Sequence, residues 1–232
     1  MASTAGSVTP SGAEPGRSAR AMLTGALVVF WDFDGVIKES VTIKSDAFER
    51  LFASYGAEVA ARVRHHHETH GGVSRYEKMP LYLEWAGEAA TPARVDEFCS
   101  RFSTLVLQAV VDAAWVPGVR EYLQAQYERQ RFVLITATPQ DEIEQILGAC
   151  GIAQCFREVH GAPMKKAAAI RSVLDRWGQK PGEALVVGDS DTELAAAIAN
   201  DVPFLLRCTD TNRELQERFG GPTFGSLDVA VS

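Results

Sequence analysis

The chain has 232 residues, 46% of them apolar and 23% charged, with a formal net charge of −7 at pH 7. That length suits one medium domain or a core carrying a smaller inserted module, and the composition shows none of the enrichment that marks disorder, collagen or coiled coil. The acidic balance argues against a protein built around a nucleic-acid backbone, which needs clustered Lys and Arg, while leaving room for a local basic pocket.

In chain order, residues 1–22 are rich in Ser, Ala, Gly and Pro and read as a disordered tail, with no apolar signal core or amphipathic repeat to suggest a targeting segment. The apolar run Leu23 to Trp31 stops at Asp32, too short to span a bilayer. A buried strand over Ala26–Trp31 explains it, and no membrane association is expected. Three more apolar runs, Phe132–Thr136, Ala184–Val187 and Pro203–Arg207, read as further parallel strands with helical patterns between them. Alternating strands and helices predict an α/β fold, a Rossmann-like doubly wound parallel sheet.

The stretch between the first two strands is far too long for one crossover helix. Phe48, Leu51, Phe52 and Tyr55 form one helical stripe there, and Val95, Phe98, Cys99, Phe102, Leu105, Val106 and Ala109 form another. Thr91-Pro92 has the pattern of an N-cap with Pro at the first helical position. Residues 39–114 are therefore expected to be a helical cap domain, with 23–38 and 115–232 as the core. The cap starts beside the carboxyl end of strand one, where α/β sheets bind ligands.

Asp32-Phe33-Asp34-Gly35-Val36 follows the first strand directly, and Gly188-Asp189-Ser190-Asp191-Thr192-Glu193 follows the third apolar run. Carboxylates packed this closely repel one another unless a proton or cation neutralises them. Several of them converging on one sheet edge imply a hard divalent cation with oxygen ligands, most naturally Mg²⁺. The four cysteines, Cys99, Cys150, Cys155 and Cys208, lack zinc or redox spacing and read as reduced, mostly buried thiols in a cytoplasmic protein. His66 and His70 are spaced i, i+4, but no metalloprotease-like pattern surrounds them; a histidine of this run facing a substrate is the other reading.

These segments resemble the haloacid-dehalogenase superfamily at four ordered motifs. The first is the apolar strand ending in Asp32-Phe33-Asp34-Gly35. Thr136 closes the next strand, and Gly161-Ala162-Pro163-Met164-Lys165-Lys166 supplies the motif lysine, with Lys166 favoured over Lys165. Asp189, followed by Glu193, is the fourth. The resemblance implies Asp32 as nucleophile, forming an aspartyl-phosphate, and Asp34 as general acid and base. It implies Lys166 as the screening cation, with Thr136 and the following Ala137 amide on the phosphoryl oxygens. Mg²⁺ would be held by Asp32, the Asp34 carbonyl and Asp189, with Glu193 orienting Lys166 or the metal waters. Asp191 reads either as part of this cluster or as an ordinary acid at a helix start.

The second carboxylate, Asp34, favours phosphoryl transfer over dehalogenation, because a halide leaves without a proton. Gly72-Val73-Ser74-Arg75 resembles the cap loop of β-phosphoglucomutases, whose Lys and His appear here as Gly71 and Lys44. The expectation is therefore a phosphatase like the phosphoglycolate phosphatases, with a sugar phosphomutase as the alternative. Arg75, with Ser74 and Lys44, is expected to contact the substrate, a small phosphorylated metabolite; sugar phosphates lead and phosphoglycolate-like acids follow. The oligomeric state is left open.

Overall fold

The computed structural model describes residues 18–227. The expected tail over 1–17 lies outside the described residues, but its last part is corrected: Ala19–Gly25 is a helix, α1. Ser18 caps it by accepting the Ala21 amide at 3.2 Å, and Met22 and Leu23 bury its inner side.

Six strands form one sheet: Val28–Trp31 (β1), Arg131–Pro139 (β2), Phe156–Ala162 (β3), Ala184–Gly188 (β4), Phe204–Arg207 (β5) and Thr223–Phe224 (β6). Their order is β3-β2-β1-β4-β5-β6, and every pairing is parallel. Side chains alternate across it as the pleat requires. Val29, Trp31, Phe132, Leu134, Leu185 and Val187 join one apolar cluster; Val28, Phe30, Val133, Ile135, Ala184 and Val186 join another on the opposite face. The central strands are thus buried on both sides, which is why they read as unbroken apolar runs.

β1 is followed by four inserted helices, Val41–Phe52 (α2), Ala57–Thr69 (α3), Arg75–Trp85 (α4) and Pro92–Asp112 (α5). The two expected stripes lie on α2, the turn after it, and α5, where Phe48, Phe52, Phe98 and Phe102 pack together with ring centroids 3.9 Å apart for Phe48 and Phe102 and 5.4 Å for Phe52 and Phe98. Thr91 caps α5 by accepting the Arg94 amide at 3.3 Å. The two chain crossings run side by side, with the Glu39 amide donating to Ala114 at 2.9 Å and the Val116 amide to Ile37 at 3.0 Å.

After the insert come Val119–Gln126 (α6), Gln140–Cys150 (α7), Lys166–Trp177 (α8), Asp191–Ile198 (α9) and Arg213–Arg218 (α10). α6 and α7 cover the sheet face shared with the insert, and α8, α9 and α10 cover the other. The chain runs outward from β1 to β3 and then returns to β4 on β1's other side. The direction therefore switches between β1 and β4, and a crevice opens at their carboxyl ends.

Among the described residues no helix is long and apolar enough to cross a membrane. The four cysteines are free, three of them buried and Cys208 half-buried.

Candidate active site

Trp31 pairs in register with Val187, and the Asp32 amide donates to the Val187 carbonyl at 3.0 Å. Asp32 and Asp189 therefore leave neighbouring strands at almost the same level. Gly35, in the turn that follows Asp34, has φ +74°. A Cβ there would lie 2.2 Å from Asp189 Oδ2, so only glycine allows this approach.

Oxygens of Asp32, Asp189 and Glu193 all lie within 4.8 Å of one another, and all three residues are buried. Lys166, at the first turn of α8, donates to Asp32 Oδ1 at 2.8 Å and to Glu193 Oε1. One ammonium serves three carboxylates, and the electrostatics show it. Burial, only partly opposed by Lys166 and reinforced by Glu193 and Asp34, pushes the Asp32 carboxyl up to about 7. Burial and then the charges of Glu193 and Asp32 push Asp189 up as well. Burial works against the Lys166 ammonium, but Asp32 and Glu193 outweigh it and hold the amine above its ordinary value.

Glu193 has a second task. Ser190 caps α9, and Glu193 Oε2 reaches back to accept the Ser190 amide at 2.9 Å, completing a capping box. Both oxygens are thereby engaged, one by Lys166 and one by the helix start. Lys165 is exposed and bridges Glu77 instead. Asp191 pairs with Arg218 near the surface at 2.5 Å, outside the carboxylate cluster.

Asp34 sits in a different environment. Ser40 Oγ donates to its Oδ1 at 2.6 Å, Lys44 of α2 donates to its Oδ2, and Thr138 Oγ1 lies 3.3 Å away. Lys44 also donates to Thr138 at 2.8 Å. Burial would raise Asp34, but the Lys44 ammonium outweighs it with help from Ser40, and the carboxyl stays below its ordinary value. An amphipathic-helix lysine ordinarily points into solvent, yet Lys44 is buried because the half-buried Asp34 carboxylate draws it inward. Ser40 and Thr138 were not assigned roles from sequence, although each adjoins a motif.

Asp32, Asp34, Lys44, Thr138, Lys166 and Asp189 line a cavity of about 670 Å³ between the sheet edge and the insert, together with Thr136, Ala137, His67 and Arg75. Thr136 Oγ1 accepts the Thr138 amide at 3.2 Å. The Gly71-Gly72 turn lines the cavity and also presses on the start of α9: Thr192 Oγ1 donates to the Gly71 carbonyl at 2.8 Å. Gly72 has φ +73°, and a Cβ on it would fall 2.6 Å from Ser190 Oγ.

Arg75, expected to contact the substrate, lines the cavity but is already paired within the protein. Its guanidinium lies over the Phe102 ring at 4.5 Å and donates to Ser103 at 2.7 Å and to both oxygens of Glu142 on α7 at 2.6 and 2.8 Å. It is buried, and its fork is already filled by a carboxylate. Ser74 caps α4, its hydroxyl accepting the Tyr76 amide at 3.4 Å. Arg75→Met should therefore act on folding, leaving Glu142 buried and unpaired at a cost of about 3–5 kcal/mol. The double variant with Glu142→Leu should recover most of that stability in denaturant melts; equal losses in both would contradict the pairing.

In the histidine run, His66 and His70 stack with centroids 3.9 Å apart, and His66 Nδ1 meets the Tyr82 hydroxyl at 3.0 Å. Burial and the nearby His70 hold His66 at about 4, so it packs as a neutral ring. His65, His67 and His70 line the cavity, and His66 does not.

Two acidic strand ends at the switch point of a parallel sheet, a buried lysine between their carboxylates and a helical insert above them are the parts of one family of hydrolases. The model of the haloacid dehalogenase-like hydrolases matches residues 27–201, and the chain belongs to that family. It is similar to the phosphoglycolate phosphatase of Rhodospirillum rubrum, 29% identical over 56% of this chain and 55% of that one. It is also similar to the phosphoglycolate phosphatase of Pectobacterium atrosepticum, 33% identical over 50% of this chain and 53% of that one. The match thus spans about half the length of these curated relatives.

Among solved structures, CbbY from Rhodobacter sphaeroides in complex with xylulose-(1,5)bisphosphate superposes with a TM-score of 0.67 at 18% identity, covering 87% of this chain and 94% of that one. The β-phosphoglucomutase of Clostridium difficile gives 0.67 at 14% identity, covering 87% and 91%. At such identities the likeness is one of fold.

Proposed function

We propose that the protein is a Mg²⁺-dependent phosphatase that hydrolyses a small phosphomonoester, sugar phosphates foremost, through an aspartyl-phosphate on Asp32. The observation that carries this reading is the pair of unlike aspartates. Asp32 is crowded by carboxylates and held by Lys166, while Asp34 is held by a separate cation, Lys44. Two carboxyl groups in contrasting environments suit a division between nucleophile and proton carrier.

The donor set fits Mg²⁺. Asp32 and Asp189 are too close to carry full charge comfortably together, and the Asp34 carbonyl accepts no hydrogen bond among the described residues. We assign the metal to Asp32, that carbonyl and Asp189, because both oxygens of Glu193 are engaged elsewhere. Bound there, Mg²⁺ would supply the positive charge that keeps the carboxylates ionised and draws in phosphoryl oxygens.

In this scheme Lys166 and Thr136 hold the phosphoryl oxygens with the Ala137 amide, and Asp32 attacks phosphorus as the ester oxygen departs. Asp34 gives that oxygen its proton and later takes one from the attacking water. Its contact with Lys44 makes the resting form a carboxylate, suited to the second half-reaction. A phosphate dianion entering beside Lys44 competes for that ammonium and eases protonation of Asp34 for the first.

The inserted helices over 39–114 act as a cap that excludes water and bulky phosphoproteins. The mutase alternative gains nothing from Arg75, which is occupied by Glu142. Release of phosphate from p-nitrophenyl phosphate should require added Mg²⁺ and fall to background after exhaustive chelation. Undiminished release by the chelated protein would overturn the metal assignment.

A further inference from the structure

Each Lys and Arg lining the cavity has a carboxylate partner, but Lys78, which reaches the cavity only through His67, has none among the described residues. Lys44 is paired with Asp34, Arg75 with Glu142, and Lys166 with Asp32 and Glu193. Lys78 of α4 is only 2% exposed and makes no ion pair among the described residues; its single hydrogen-bond partner is His67 Nδ1 at 3.2 Å. The neighbouring Glu77 carboxylate is drawn outward to Lys165. A buried lysine without a counter-ion is costly to keep. Burial and then the repulsion of Lys44 accordingly lower Lys78 to about 7.

His67 transmits this charge to the cavity, which it lines. Burial and the surrounding cations, Lys78 first, keep its imidazole neutral. As an ammonium, Lys78 has hydrogens to give and no lone pair; in that form it donates to Nδ1 and the ring's own proton sits on Nε2. Nε2 has no hydrogen-bond partner among the described residues and is not among the atoms sealed from solvent without one. The ring itself is braced against Phe48, centroids 4.7 Å apart.

Resting on the phosphatase reading, we infer that Lys78 and His67 form a carboxylate-recognition pair, so that the substrate is a phosphomonoester bearing a carboxylate, as in a phosphorylated sugar acid. His67 is the contacting donor and Lys78 the positioning residue that sets its tautomer and supplies the charge. One unmatched positive charge balances one carboxylate; a second phosphate dianion would need two. A neutral polyol would leave Lys78 uncompensated. The pair lies on α3 and α4, apart from the groups that act on phosphorus, so it governs which ester is chosen rather than how it is cleaved.

The test is the ratio of kcat/KM for matched esters: 6-phosphogluconate against sorbitol 6-phosphate, and 2-phosphoglycolate against ethyl phosphate, with fructose 1,6-bisphosphate as the dianionic control. The wild-type protein should favour the acid of at least one pair by roughly tenfold to a hundredfold, the worth of one charge-assisted contact. Lys78→Met should bring that ratio close to one, chiefly through KM for the acid, and Lys78→Arg should restore part of it. Lys78→Gln and His67→Phe should produce the same collapse, so that misfolding of one variant does not decide the matter; circular dichroism reports folding.

A ratio unchanged in folded Lys78→Met, equal losses for acid and neutral ester, or a wild-type preference for the neutral esters or the bisphosphate overturns the inference. Calorimetric titration with the same esters separates it from the phosphatase reading. Preferential binding of the acid, lost in Lys78→Met, without phosphate release would sink the reaction but keep the recognition pair. Phosphate release with no preference in binding or turnover would do the reverse.

Discussion

Asp32→Asn should reduce phosphate release by roughly four orders of magnitude or more, the scale seen when an enzyme loses its nucleophile. The amide has nearly the same shape, and Lys166 keeps Glu193 as a partner, so the loss would belong to chemistry rather than folding. Stability supplies an independent check with a definite sign. The Asp32 carboxyl lies at about 7 in the folded protein against an ordinary 3.8. The folded state therefore holds this proton where the unfolded chain has released it. That contribution is fully present below the ordinary value and is lost as pH rises through about 7. In chelator at pH 8 the neutral amide should melt no lower than the parent. Residual turnover within tenfold of the parent, or a variant that unfolds, would remove Asp32 from the role assigned to it.

Asp34→Asn carries the second largest expected effect, a loss of roughly a hundredfold or more in kcat on an alkyl phosphate, in keeping with general acid–base contributions. The amide cannot take a proton from water, and it leaves the buried Lys44 ammonium with Thr138 as its remaining partner. An activated aryl phosphate scarcely needs a proton on its leaving oxygen, so its first step should be hurt less. Burst kinetics with p-nitrophenyl phosphate would show this as a retained burst followed by slow turnover. A uniform loss in both phases would point to disturbed packing around Lys44, and undiminished turnover of the alkyl ester would exclude the role altogether.

What could be read from sequence follows the range of the forces involved. Asp32, Asp34, Asp189 and Glu193 stood out because each follows an apolar run buried on both faces of a sheet, a pattern set by near neighbours. β3 escaped notice because it is an edge strand whose middle is only half-buried, with Arg157, Glu158 and His160 interrupting the apolar run. β6 has two residues, too few for any period. α1 was hidden by its apolar sequence merging into β1; its one local signal was Ser18, the capping residue.

The contacts that tie insert to core were not legible. Arg75 meets Glu142, 67 positions away, and Lys44 meets Thr138, 94 positions away. No spacing rule announces such pairs, which depend on where a helix lands after both layers have packed. The same limit hid the close contact of Gly71-Gly72 with α9. It also concealed Lys78, whose oddity lies in lacking an acid that sequence cannot show to be absent.

The central claim is that phosphate passes through Asp32, and borohydride trapping during turnover of p-nitrophenyl phosphate with Mg²⁺ tests it most directly. An aspartyl-phosphate is an acyl phosphate, which borohydride reduces to homoserine. Peptide mass spectrometry should therefore find homoserine at position 32 in the wild-type protein, with turnover lost in step, and none in a control without substrate. Sustained phosphate release with position 32 still aspartate, or with the reduced residue at Asp34 or Asp189, would contradict the account.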